Sequence, residues 1–253
     1  MKTGYINTLR GIFITGTDTG VGKTVVAAGL IKALQRQGKE VGYFKPVASG
    51  AVKTSRGLIA PDVDFVRKTT GIDDPLDLIN PVCLVPPLAP LTAAEITRTD
   101  WKLLTIIQKF QLLQKRYPFL VVEGVGGILV PLKKKVLVID LIEKLRLPTL
   151  VVARPSLGTI NHTLMTLFLL KQRGLPVLGF LFNGQKGRPG LAEKTAPPVI
   201  SGISGVPYLG SLPFDSRVSE TAFNLGSVPG KLARLMTENK LKVQGSRYKV
   251  FHT

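Results

Sequence analysis

The sequence predicts an α/β domain built on a mostly parallel sheet with helices on both faces, and three observations predict it. Short apolar runs of strand length alternate with stretches of helical periodicity. Turn-forming Gly and Pro residues separate the two kinds of segment. The apolar runs are nearly uninterrupted, as strands covered on both faces require.

Gly11 to Thr15 reads as a short buried strand, followed by a Gly-rich turn and a helix from about Lys23 to Gln37 that Gly38 closes. Val41 to Phe44 is the next strand, stopped by Pro46. Asp100 is placed to cap a helix running to about Arg116, and the apolar run Phe119 to Val122 then ends at Glu123. Thr149 to Ala153 and Val177 to Phe182 repeat that strand pattern, with a helical stretch from Thr159 to Arg173 between them and Gly174 after it. In such sheets ligands bind beyond the carboxyl ends of the strands. Length favours one domain over residues 1–236, with a basic tail at 237–253 carrying Lys240, Lys242, Arg247 and Lys249 and little apolar periodicity.

Composition narrows the class. Thirty-four Lys and Arg against 16 Asp and Glu give a formal net charge of +18, which draws anions of every kind without choosing among them. Cys83 is the only cysteine, so an intrachain disulfide and a cysteine-based metal cluster are both excluded, as befits a reducing compartment. Neither a signal-peptide pattern at Met1 to Arg10 nor a run of roughly 20 apolar residues is present, and a soluble cytoplasmic protein is expected.

The strongest motif is Gly16-Thr17-Asp18-Thr19-Gly20-Val21-Gly22-Lys23-Thr24, directly after a predicted strand and opening a predicted helix. That is the context of a P-loop: backbone N–H groups and the helix N-terminus cradle phosphate oxygens, Lys23 neutralises the outer phosphates, and the Thr24 hydroxyl coordinates magnesium. The first glycine stands one residue earlier than the usual spacing. Glu123, at the end of a later strand, is placed to hold metal or nucleotide, with Gly124, Gly126 and Gly127 allowing close backbone approach. Lys45, in Lys45-Pro46-Val47-Ala48-Ser49-Gly50, projects from the same sheet edge and could neutralise an anionic substrate. Asp62 and Asp64 follow Pro61 at a helix start, where either could serve the helix dipole or complete a metal shell. Asn183 ends an apolar run and could present its amide to an adenine edge or serve a turn. His162, in a helical pattern, reads as a packing or capping residue.

Taken together, the lengthened P-loop, the Lys45 to Gly50 segment, Glu123-Gly124-Val125-Gly126-Gly127, Leu157-Gly158-Thr159-Ile160-Asn161-His162 and Leu209-Gly210-Ser211-Leu212-Pro213 resemble the dethiobiotin synthetase family, over about Gly11 to Leu235. The resemblance implies a P-loop NTPase-like fold and a homodimeric ligase of biotin biosynthesis. Such an enzyme closes a ureido ring on 7,8-diaminononanoate with carbon dioxide and ATP, through a carbamate and a carbamic-phosphoric anhydride, releasing ADP and phosphate. It implies that Lys45 holds the carbamate, Lys23 grips the phosphates, and Thr24, Asp62 and Glu123 hold magnesium. Thr19 and Ser49 would position the diamine, and Gly158, Thr159, Ile160 and Asn161 would meet its carboxylate at the dimer interface. Gly20, Val21, Gly22, Val25, Gly124, Val125 and Gly126 would surround the phosphates. Asn183, Gly184, Pro213, Phe214, Asp215 and Glu220 would face the adenine. Two departures stand out: Gly20 replaces the Glu of many members, and the basic tail has no counterpart.

Two rival readings share the P-loop. A cobyrinate-type amidating synthetase would need a glutaminase domain for which the chain has neither the length nor a suitably placed Cys. A partition ATPase acting on DNA or membrane would carry a second Lys where Thr17 and Asp18 stand, and no aromatic interleaving or helix-turn-helix pattern supports specific nucleic-acid recognition.

Overall fold

The computed structural model describes residues 9–55, 57–218 and 226–237. In chain order the elements are β1 (Gly11–Gly16), α1 (Lys23–Gln35), β2 (Val41–Phe44), β3 (Val47–Ser49), β4 (Val52–Thr54), β5 (Gly57–Ile59), α2 (Pro61–Thr70), α3 (Leu76–Ile79), β6 (Val82–Leu84), α4 (Pro90–Thr97) and α5 (Leu103–Arg116). There follow β7 (Phe119–Gly127), β8 (Pro131–Lys133), β9 (Val136–Leu137), α6 (Val138–Leu145), β10 (Thr149–Ala153), α7 (Thr159–Gln172), β11 (Val177–Gln185), α8 (Leu191–Ser204), β12 (Tyr208–Pro213) and α9 (Val228–Thr237).

Among the described residues the central sheet has six strands in the order β12-β11-β10-β1-β7-β2, every neighbouring pair parallel. The chain leaves β1 across β7 to reach β2, whereas β10, β11 and β12 step away in the other direction. Right-handed crossovers therefore put α1 on one face and α6, α7 and α8 on the other. Helix packing agrees: α1 lies against α2 and α9, while α7 lies against α8. The reversal falls at the carboxyl end of β1, the place where such sheets open a crevice.

Apolar periodicity explains the core. Ile12, Phe13 and Ile14 of β1, Val121 and Val122 of β7 and Val151 and Val152 of β10 are all fully buried, because helices cover both faces of these strands. Each such side chain contributes about 1.5–3 kcal/mol relative to exposure. Three small strand pairs lie outside the sheet: parallel β3–β6 and antiparallel β4–β5 and β8–β9.

Three expectations are corrected. Strand β7 does not stop at Val122 but runs to Gly127, and β11 runs past Phe182 to Gln185, so Glu123 lies within its strand rather than at the end and Asn183 is a paired strand residue rather than a turn residue. Asp100 caps nothing: α5 starts at Leu103 with no side-chain cap, and the exposed Asp100 carboxylate pairs with Lys133 of the β8–β9 hairpin at 3.1 Å. A carboxylate three residues upstream is too distant for the first-turn N–H groups when a nearer cation is available. His162 is not a packing residue, since its side chain is exposed in the wall of a cavity. No helix among the described residues is long and apolar enough to cross a membrane. The tail after Thr237 and Glu220 lie outside the described residues.

Candidate active site

Gly16 ends β1, and the loop that follows delivers the chain to α1 at Gly22 and Lys23. Gly20 and Gly22 have φ of 71° and 86°, a backbone region that strains side-chain-bearing residues. Gly22 is doubly constrained, because a Cβ there would collide with the Asn183 amide. That amide donates from Nδ2 to the Val21 carbonyl at 2.9 Å, so Asn183 pins the loop from β11.

Lys23 is buried, and its Nζ donates to the Asp18 carbonyl at 3.1 Å across the loop. Burial, reinforced by the neighbouring Lys45 charge, pushes the Lys23 ammonium down to about 8. An anion arriving in the loop supplies the counter-charge that this ammonium lacks.

Lys45 follows β2 and is almost wholly buried, with 1% exposure. Its Nζ donates to Glu123 Oε1 at 2.5 Å and to Asp62 Oδ2 at 2.6 Å. Burial alone lowers an ammonium's affinity for its proton, but the two carboxylates outweigh it and hold Lys45 above the ordinary lysine range. Asp62 is held below the ordinary carboxyl range, chiefly by Lys45 and against the opposing effect of its own burial. Glu123 has no exposed surface; its Oε1 also accepts from the Thr24 hydroxyl at 2.8 Å and its Oε2 from Tyr43 at 2.8 Å. Burial and the Glu123 charge hold the Tyr43 phenol well above its ordinary value, so it remains a donor.

Thr24, Asp62 and Glu123 thus bring three hard oxygen donors to one point beside the loop. That donor set suits magnesium, which takes one or two carboxylates from a protein and its remaining ligands from phosphate and water. Asp64 points elsewhere: it pairs with Lys68 one turn along α2 at 2.7 Å.

The loop walls two cavities. One, of about 560 Å³, runs from Gly20, Val21 and Val25 past Asn183 and Gly184 to Pro213, Phe214 and Asp215. The other, of about 430 Å³, lies against Thr17 to Thr19, Gly127 to Pro131 and the α7 residues His162, Met165 and Thr166. Thr19 therefore faces the second cavity, while Gly126, at φ 58°, leaves space beside its hydroxyl. Ser49 ends β3 with its hydroxyl buried and without a hydrogen-bond partner. Gly124 approaches Lys45 through its carbonyl at 3.4 Å, and Val125 is half-buried beside it. Gly158, Thr159, Ile160 and Asn161 open α7 but line neither cavity; Gly158 and Asn161 are exposed.

Three residues escaped the sequence reading. Tyr43 looked like one more apolar strand residue, and only the burial of Glu123 opposite it reveals its role. Arg154 donates from Nη2 to the Thr19 carbonyl at 2.5 Å and lies 3.5 Å from Asp18 Oδ2. Its signal was positional: it is the first residue beyond β10, the strand beside β1. Lys186 sits over the Phe214 ring at 5.2 Å, at the far end of the larger cavity.

Comparison with known proteins agrees with this architecture. The family described as an AAA domain matches residues 10–222. An ATP-dependent dethiobiotin synthetase BioD from Thermodesulfovibrio yellowstonii is 40% identical over 88% of this chain and 95% of its own length. Another, from Bacillus licheniformis, is 42% identical over 81% and 86%. Among solved structures, the MinC:MinD cell division complex of Aquifex aeolicus matches with a TM-score of 0.61 at 17% identity, over 94% of this chain and 99% of that one. The septum site-determining protein MinD of Pyrococcus horikoshii, complexed with Mg-ADP, matches with a TM-score of 0.56 at 17% identity, over 90% and 95%. At that identity the two structures show a shared P-loop NTPase-like fold and nothing finer. The sequence relatives show more: the chain belongs to the ATP-dependent dethiobiotin synthetase family.

Proposed function

We propose that this protein is a dethiobiotin synthetase, which joins 7,8-diaminononanoate and carbon dioxide at the expense of ATP to give dethiobiotin, ADP and phosphate. The observation that carries the reading is the convergence of two buried lysines, Lys23 and Lys45, with Thr24, Asp62 and Glu123 at a P-loop that separates two cavities. It stands in a chain of that family.

The chemistry passes through anions. A substrate amine adds to carbon dioxide and loses a proton, giving a carbamate. The carbamate oxygen takes the γ-phosphoryl group, and ADP leaves. The second amine attacks the carbonyl carbon of the mixed anhydride, the ring closes and phosphate departs. Each step asks for fixed positive charge more than for a general base. Lys45, whose charged form is favoured by Asp62 and Glu123, holds the carbamate in this reading and offsets charge as the phosphoryl group moves. Lys23 takes the outer phosphates. Thr19 orients the diamine from the wall of the smaller cavity, and Ser49, whose buried hydroxyl is without a protein partner, is the second positioning group. Asn183 holds the loop in shape through Val21, while Gly184 and Pro213 to Asp215 bound the base end of the larger cavity.

Thr24, Asp62 and Glu123 would hold magnesium, which neutralises phosphate charge when bound.

The working unit in this reading is a homodimer. Leu129 and, on α7, Met165 and Phe168 are exposed apolar side chains, and the exposed Gly158 and Asn161, flanking Thr159 and Ile160 at the start of α7, would meet a diamine bound to the partner. One catalytic domain over residues 1–236, acting in the cytoplasm, carries the whole activity. Incubation with ATP, the diamine and ¹³C-bicarbonate tests the assignment. The expected product is dethiobiotin with one labelled ureido carbon for each ADP formed; ADP formation without label incorporation would sink it.

A further inference from the structure

The nucleotide cavity contains a cation to which no role has been given. Arg154 is the first residue after β10, whose Val152 pairs with Gly16 and accepts from Thr17 N at 3.0 Å. The strand end therefore runs alongside the P-loop and aims Arg154 across its outer side. There the guanidinium is held by one edge only: Nη2 donates to the Thr19 carbonyl and approaches Asp18 Oδ2. Nε and Nη1 have no protein partner among the described residues.

The surroundings point to a ligand. Arg154 lines the 560 Å³ cavity where the loop residues Gly20 and Val21 give way to Asn183 and Gly184. Lys23 opens α1 at the end of the loop, Phe214 lines the same cavity as Arg154, and Arg154 meets the loop at the Thr19 carbonyl. Gly20 leaves this approach open: a Cβ there would stand 3.5 Å from Nη2, and a longer side chain would fill the space the guanidinium spans. A planar fork with one edge anchored and the others presented suits phosphate oxygens better than a single ammonium would.

We propose that Arg154 is a second phosphate-binding cation of the nucleotide site, gripping the phosphate next to the ribose while Lys23 grips the outer end. The proposal rests on the larger cavity being the nucleotide site. Asp18 acts as a parking carboxylate that holds the guanidinium near the loop until phosphate draws it inward.

ADP binding to the full chain, followed by titration calorimetry with magnesium, tests this. Arg154→Gln is expected to weaken ADP binding by about 10- to 100-fold, the range for a charge-assisted contact. Arg154→Lys is expected to recover part of that loss. Asp18→Asn is expected to tighten ADP binding, because it frees the guanidinium and removes a negative charge near the phosphates. The free Arg154→Gln protein should keep its melting temperature within about 2 °C, since an exposed pair contributes little to stability. If Arg154 merely braces the loop, Asp18→Asn will weaken binding in parallel with Arg154→Gln, and the proposal falls. Lys23→Gln separates the two levels of the inference. If it abolishes ADP binding while Arg154→Gln stays within twofold of wild type, the Arg154 proposal alone is wrong. If wild type binds no ADP, or Lys23→Gln binds it as wild type does, the nucleotide reading fails and takes this proposal with it.

Discussion

Lys45→Met puts the buried ion cluster to a quantitative test. The substitution keeps the volume of the stem but leaves Asp62 and Glu123 without their ammonium. The two carboxylates respond differently. Asp62's side chain is 46% exposed and regains water, whereas Glu123's is 0% exposed and keeps only the hydroxyls of Thr24 and Tyr43. Breaking a fully buried pair costs about 3–5 kcal/mol, and the exposure of Asp62 argues for the lower end, about 3 kcal/mol. For a chain of this size that corresponds to a fall in melting temperature of about 6–12 °C. Adding Glu123→Gln to the Lys45→Met background removes the stranded charge and should restore at least about half of the loss. Calorimetric melting of the three proteins measures both values. A loss below about 1 kcal/mol, or a double variant no more stable than the single one, would refute the view that Lys45 compensates Glu123.

Other outcomes follow from the same geometry. Lys45→Gln, assayed well below its melting temperature, should abolish ring closure while ADP binding stays within about threefold, because Lys45 touches carboxylates rather than the loop; lost ADP binding would show its role to be misread. With the Lys23 pKa lowered to about 8, half of these side chains are neutral at pH 8, and an incoming phosphate favours the charged form. Metal-free ADP binding at pH 8 should therefore take up about half a proton, seen as a buffer-dependent enthalpy, and no buffer dependence would contradict it. Asp62 titrates below its ordinary 3.8, so its contribution to stability is complete above that pH and disappears as pH falls through the folded value. Asp62→Asn should accordingly flatten the stability profile below about pH 4, and an unchanged acid limb would count against the Lys45 pairing. Phe168→Asp should yield monomers by light scattering with diamine turnover lost; an active monomer would remove the dimer from the reading.

The fold was legible because its signals are local. Buried strands read as apolar runs, and Gly22 and Lys23 mark the strand-to-helix turn at the point where the sheet order reverses. Lys45 and Glu123 were legible for a similar reason: an ionisable residue directly after an apolar run stands out from it. What stayed hidden depended on packing between distant segments. Tyr43 serves Glu123 across 80 residues, and Arg154 reaches the loop across 135. Asp62 and Asp64 differ only in the face of α2 they occupy, and the position of Lys45, just after β2, separates them. Asn183 was read as a turn or base-reading residue because strand pairing beyond an apolar run leaves no mark on the sequence; it is a strand residue whose Nδ2 donates to Val21 and which lines the larger cavity.

The most direct measurement is the rate of ADP release by the purified protein with magnesium, ATP and bicarbonate, with and without 7,8-diaminononanoate. Release that depends on the diamine and keeps pace with dethiobiotin is the predicted result. Release at the same rate without the diamine, or stimulated by DNA or lipid instead, would contradict it.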